Sequence, residues 1–148
     1  MPWIFGGSKV ARLEWIPALG TGNSGIDEEH KTLFALINKL DAAREREGDL
    51  RSMREVADEL VQYVHVHFSH EESLFEAKGY PGAAPHVEEH RAFVARVAQF
   101  HAQIIDGSQA VGAEMAEFLR TWLSRHIALS DRKYRPWLAD RAEGEGRD

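Results

Sequence analysis

A chain of 148 residues carrying a net charge of −6, with 43% apolar and 28% charged residues, has the size of one folded domain and no compositional ground for extended disorder. The acidic balance argues against nucleic acid or an anionic membrane as partner, since both call for a basic surface, and no apolar run approaches the roughly 20 residues of a membrane span. The absence of cysteine excludes disulfides, iron–sulfur clusters, thiolate zinc sites and cysteine nucleophiles; eight histidines leave imidazole and oxygen as donors for any metal, which suits iron, zinc, copper or manganese.

Residues 1–23 read as an irregular arm. Its one apolar stretch, Trp3-Ile4-Phe5, lacks the basic segment and cleavage pattern of an export signal, so a cytoplasmic protein is expected, with the stretch capping one end of the helical body. A first helix starts at Ser24-Gly25-Ile26-Asp27, with an acidic first turn, and its apolar positions continue through Leu40 to a charged run ending at Gly48. A second runs from about Asp49 or Ser52 to Lys78, where Gly79-Tyr80-Pro81-Gly82 stops it. Pro85 suits the first turn of a third helix reaching about Ile105 before Asp106-Gly107-Ser108, and a fourth begins near Val111. No period-two pattern, repeat or low-complexity segment is present. Four long helices with short links predict an all-α fold: a single domain over 1–148, an antiparallel up-down-up-down four-helix bundle over about 24–138, and a polar tail over 139–148.

Helical geometry decides where the histidines point, because positions i and i+4 lie about 40° apart and converge on one point. On the second helix Leu60, Val64, Phe68, Leu74 and Phe75 define an apolar stripe with His67 and Glu71 at its centre. His86 and His90 align with Phe93, Val97, Phe100 and Ile104 on the third. His30 shares a face with Ile26, Phe34 and Ile37 on the first, and His126 shares one with Met115, Leu119 and Trp122 on the fourth. A single buried histidine is readily satisfied by carbonyls or water. Five of them with a carboxylate, all facing one interior, call for a metal or a dense hydrogen-bond network, because unpaired buried ionisable groups are costly. Asp131 follows His126 by five residues, about 140° round a regular helix, so it joins the group only if a π-turn widens the backbone between them. Of the rest, His65 is expected in solvent, His70 on the rim of the stripe at a helix contact, His101 on the apolar face of the third helix but about 16 Å from His90, and Glu72 away from the axis as an exposed charge.

The segments Gly25-Ile26-Asp27-Glu28-Glu29-His30, His67-Phe68-Ser69-His70-Glu71-Glu72, Gly79-Tyr80-Pro81 with His86 and His90, and Trp122-Leu123-Ser124-Arg125-His126 through Asp131 to Tyr134 occur in that order. Together, over about Trp15 to Leu138, they resemble the hemerythrin family and in particular its single-domain bacterial members. The resemblance implies two Fe ions per chain joined by an oxo or hydroxo bridge. One would take His86, His90 and His126 and be coordinatively full; the other would take His30 and His67 and keep an open position; Glu71 and Asp131 would bridge them. Dioxygen would bind at the open iron beside Phe68, Trp122 and Leu123, with Tyr134 near the cluster. Two departures stand out, Phe75 where the family often has methionine and a longer arm before Trp15, and neither is expected to touch a ligand.

For that ligand set the net charge is about +1 in the diferrous form and about +1 again once two electrons and the bridge's proton have passed to dioxygen. A dry core therefore meets no large electrostatic penalty, and binding can reverse. Carboxylate-rich di-iron enzymes on related bundles use two Glu-x-x-His motifs, and none occurs here. The expected function is reversible dioxygen binding for storage or for delivery to an oxygen-consuming enzyme, by a monomer and without catalysis. The alternatives are an oxygen or redox sensor acting through a partner, and a di-iron enzyme handling peroxide or nitric oxide.

Overall fold

The computed structural model describes residues 12–45, 50–107 and 110–140. Trp3, Ile4 and Phe5, and with them the expected capping role of the arm, lie outside the described residues. Four long helices, α1 (Ser24–Glu45), α2 (Leu50–Lys78), α3 (Ala83–Ile105) and α4 (Ala110–Arg125), pack in the cyclic order α1–α2–α3–α4–α1. This is the up-down-up-down four-helix bundle that the short links require. Beyond α4 the chain makes a π-turn over His126–Ser130, a 3-10 turn over Asp131–Tyr134 and a short helix α5 (Arg135–Leu138) that packs back on α2. Among the described residues no helix is long and apolar enough to cross a membrane.

Local chemistry sets the ends. The side chain of Asn23, one residue before the expected start of α1, accepts from the Ile26 N–H at 3.0 Å, the bond that makes Asn a strong cap. α2 stops because Gly79 adopts φ +68°, a region that a side chain would disfavour. Gly79 N–H then donates to the Glu76 carbonyl and Tyr80 N–H to the Phe75 carbonyl at 3.0 Å. The Phe75 and Tyr80 rings meet 5.1 Å apart, the apolar contact that accompanies such a helix end. Past α5, Asn23 Nδ2 donates to the Leu138 carbonyl and the Asp140 carboxylate accepts from Ser24 N–H, both at 2.8 Å. The chain is thus pinned to the start of α1 two residues beyond the bundle boundary expected at Leu138. The described part of the arm lies along α1, where Leu13 exchanges two 2.9 Å hydrogen bonds with the Asn38 side chain.

Two apolar clusters fill the interior. The larger contains Leu33, Phe34, Phe68, Phe93, Leu123 and Ile127 and continues down the bundle to Ile104 and Val111; the smaller contains Ile26, Phe75, Tyr80, Tyr134 and Leu138. The buried ionisable residues lie where the two meet, as His30 does between Ile26 and Leu33 and Glu71 between Phe68 and Phe75. The molecule therefore carries a polar layer sealed above and below by apolar side chains.

Candidate metal centre

His30, His67, Glu71, His86, His90, His126 and Asp131 are all buried. α1 supplies His30, α2 His67 and Glu71, α3 His86 and His90, and the segment after α4 the last two. Asp131 reaches the interior through the π-turn, in which its backbone N–H donates to the His126 carbonyl. A hydrogen bond from residue i+5 to residue i widens the turn and brings positions five apart onto one face, as the sequence spacing required.

The carboxylates hold the arrangement together. Glu71 Oε1 lies 2.9 Å from His90 Nε2 and 3.4 Å from His86 Nε2, while Oε2 faces His67 Nε2 at 3.8 Å. Asp131 Oδ1 is 3.1 Å from both His86 Nε2 and His126 Nε2, and Oδ2 is 3.1 Å from His30 Nε2. Each carboxylate thus directs one oxygen at the group His86/His90/His126 and the other at the pair His30/His67. The Nε2 atoms of His86 and His126 are 3.0 Å apart, a distance at which two ring nitrogens need a proton or a cation between them.

Electrostatics point the same way. Burial pushes Glu71 toward the neutral acid, as does the neighbouring Asp131 charge, yet the close imidazoles of His86, His90 and His67 hold it far below the carboxylate range. Asp131 is also held well down against its burial, by His126, His30 and His86. Burial lowers His86, but Asp131 and Glu71 outweigh it and push the imidazole up to about 9. Two anions in a dry layer attract whatever positive charge is available, and metal cations compete with protons for that place.

The donor set passes a direct test of fit. Six of the seven buried side-chain atoms that lack a hydrogen-bond partner among the described residues belong to it: both ring nitrogens of His30, Glu71 Oε1, His90 Nε2 and both oxygens of Asp131. One donor atom from each of Glu71, His86, His90 and His126 lies within 4.8 Å of the others, and His30, His67 and Glu71 form a second such set. Nitrogen and oxygen donors about 2.1 Å from a shared ion stand at most about 4.2 Å apart, so a small contraction suffices. Imidazole and carboxylate suit iron, and equally other first-row ions.

Around the donors lies an outer layer that the spacing argument missed. Glu29 on α1 accepts from His67 Nδ1 through Oε1 and from His70 Nδ1 through Oε2, both at 2.7 Å. Glu89 accepts from His126 Nδ1 at 2.9 Å and from Ser130 Oγ at 2.7 Å. Glu72 corrects an expectation: it is only 36% exposed and accepts from His90 Nδ1 at 2.7 Å, because a flexible side chain on the flank of α2 reaches the facing helix. Phe75 is a second correction, since its ring meets that of His86 edge-on at 4.8 Å.

His65 is exposed as expected, and His70 is at a helix contact through Glu29. His101 sits on the flank of α3 rather than its buried face, half-buried and paired with Asp58 at 2.5 Å. Phe68 stacks on His90 at 3.6 Å and Trp122 on His126 at 4.3 Å, so Trp122 lies on the three-histidine side and not beside His30 and His67 as the resemblance implied. Leu123 is buried, and so are Leu33, one turn after His30, and Ile127, next to His126. Tyr134 is fully buried and its hydroxyl donates to Glu71 Oε2 at 2.6 Å.

The family pattern described as hemerythrin HHE cation binding domain matches residues 21–138. The chain belongs to the hemerythrin family. As a hemerythrin, it is 34% identical over 132 residues to the bacteriohemerythrin of Methylococcus capsulatus, covering 88% of this chain and 99% of that protein. It is 36% identical over 121 residues to a hemerythrin-like protein of Naegleria gruberi, covering 82% and 89% respectively. A crystal structure of wild-type hemerythrin superposes with a TM-score of 0.78 at 33% identity, over 88% of this chain and all of that one. Family membership carries with it a di-iron oxygen-binding domain, and the buried histidines and carboxylates fit that cofactor.

Proposed function

We propose that this hemerythrin binds dioxygen reversibly for storage or delivery, at two irons held by His30, His67, Glu71, His86, His90, His126 and Asp131. The observation carrying the reading is that Glu71 and Asp131 each direct separate oxygens at both histidine groups, the disposition that two adjacent cations require. When bound, two irons supply two reducing electrons and a coordination position for dioxygen.

The chain's own residues account for reversibility. Leu33, Phe68, Leu123 and Ile127 belong to the buried cluster on one side of the donors and keep water from that side, which protects a reduced centre from proton-driven loss of the ligand. Tyr134 holds Glu71 in place through its hydroxyl. Burial of the phenol and its donation to the Glu71 carboxylate leave its proton engaged in that hydrogen bond. Such an interior offers dioxygen little general-acid assistance, which favours carriage over peroxide chemistry.

An optical spectrum of aerobically purified protein, with iron analysis, tests this reading. Two irons per chain and charge-transfer bands that vanish under argon and return in air are expected. Bands that do not recover, with oxygen consumed to peroxide or water, would contradict reversible carriage, and sustained turnover of peroxide or nitric oxide would identify an enzyme instead.

A further inference from the structure

On the reading that this is a two-iron centre, we propose that its two positions fill and empty in a fixed order: the position at His86, His90 and His126 loads first, and the position at His30 and His67 loads last and empties first.

The two positions are unequal in donors. The first is addressed by three imidazoles, Glu71 Oε1 and Asp131 Oδ1, whereas His30, His67, Glu71 Oε2 and Asp131 Oδ2 address the second. Glu71, His86, His90 and His126 form a four-residue set by themselves; the other side assembles only three, and borrows Glu71 to do so.

They are also unequal in how firmly the imidazoles are held. Glu72 fixes His90 and Phe68 stacks on its ring with only 5° between the planes. Glu89, itself held by Ser130, fixes His126, and Trp122 lies 14° from parallel on its ring. Phe75 meets His86 edge-on. Two of these three rings are thus held at Nδ1 by an outer carboxylate before any cation arrives. On the other side His30 has no outer carboxylate at Nδ1; its contacts are the inner Asp131 Oδ2, 3.1 Å from Nε2, and the edge of the His67 ring at 4.8 Å. Only His67 is clamped, and its clamp Glu29 divides its two oxygens between His67 and His70, whose side chain is 40% exposed. A ring that an outer carboxylate already orients loses little freedom on binding, whereas His30, without one, has more to lose.

Order arises from this asymmetry. The cation that meets the better-held set binds more tightly, and outer partners of this kind change metal affinity by about tenfold to a hundredfold each. With Glu71 and Asp131 then anchored through Oε1 and Oδ1, their remaining oxygens face His30 and His67 and complete the second position. The last position is also the adjustable one: His70, at the surface, holds Glu29, which holds His67, so a change at His70 reaches that metal without touching any of its donors.

The test uses the full chain loaded anaerobically with two ferrous ions and mixed with excess ferrozine. Release in two phases of one iron each is expected, separated by about tenfold or more in rate. Iron-edge anomalous diffraction from half-depleted crystals should show the remaining ion among His86, His90 and His126. His70→Ala and Glu29→Gln should accelerate only the fast phase, and Glu72→Gln the slow one; thermal unfolding of each variant confirms that it is folded. A single phase for both irons, a remaining ion at His30 and His67, or equal acceleration of both phases by His70→Ala would overturn the order while leaving the two-iron reading intact. A chain that never holds two irons would overturn that reading itself, and the order with it.

Discussion

Removing the metal should cost this hemerythrin a large part of its stability. Five buried atoms without a hydrogen-bond partner face the place where ions would sit, namely His30 Nε2, Glu71 Oε1, His90 Nε2 and both Asp131 oxygens. Each such atom left unsatisfied costs about 1–3 kcal/mol, which puts about 5–15 kcal/mol at stake. A domain of this length has a total stability of only about 7–22 kcal/mol. Protons drawn onto the imidazoles, and water entering the layer, recover part of the loss, so the lower end of the range is the working figure. At about 2–4 °C per kcal/mol for a chain of this size, about 5 kcal/mol lowers the unfolding temperature by about 10–20 °C. Differential scanning calorimetry of iron-loaded and chelator-stripped protein measures this directly. Curves that coincide within about 3 °C would falsify the view that the ions neutralise the polar layer.

Three further substitutions probe separate features of the molecule. Leu123→Ala removes a buried side chain beside His126, so it should cost about 2–5 kcal/mol in denaturant titration and speed oxidation of the oxygenated protein as water enters; unchanged oxidation would remove Leu123 from the water barrier. Tyr134→Phe deletes the donor to Glu71 Oε2 and should lower stability by about 1.5–3 kcal/mol with both irons retained, and loss of an iron would show that the phenol does more than hold the carboxylate. Gly79→Ala forces a side chain into φ +68° and should cost about 1–2 kcal/mol without altering the optical bands; a neutral result would mean that the end of α2 relaxes.

The long helices were legible because each carries an apolar stripe over several turns, and α2 stops at Gly79. The convergence of His30, His67, Glu71, His86, His90 and His126 was legible for the same reason, since backbone geometry alone fixes the face on which they lie. Asp131 needed one more step: a spacing of five is wrong for a regular helix and right for the π-turn that the chain adopts. Glu29, Glu72 and Glu89 were not legible, because they sit on the flanks and reach the imidazoles through long side chains whose direction periodicity does not determine. The adjacent acidic pairs Glu28-Glu29, Glu71-Glu72 and Glu88-Glu89, each beside a buried donor, were the available signal. Phe75 against His86, and the cap at Asn23 rather than Ser24, likewise depend on how neighbouring elements meet.

On the proposed reading Glu71 and Asp131 would each serve two cations at once, and oxygen binding, ordered loading and the stability of the polar layer all rest on that. Anomalous diffraction at the iron edge, from crystals of the protein as purified, is the decisive experiment. Two iron peaks are expected in the polar layer, one among the Nε2 atoms of His86, His90 and His126 and one between those of His30 and His67. Each should stand about 2.0–2.2 Å from its imidazole nitrogens, with a carboxylate oxygen from Glu71 and Asp131 on both. A single ion, or carboxylates turned toward only one histidine group, would refute the shared-carboxylate arrangement.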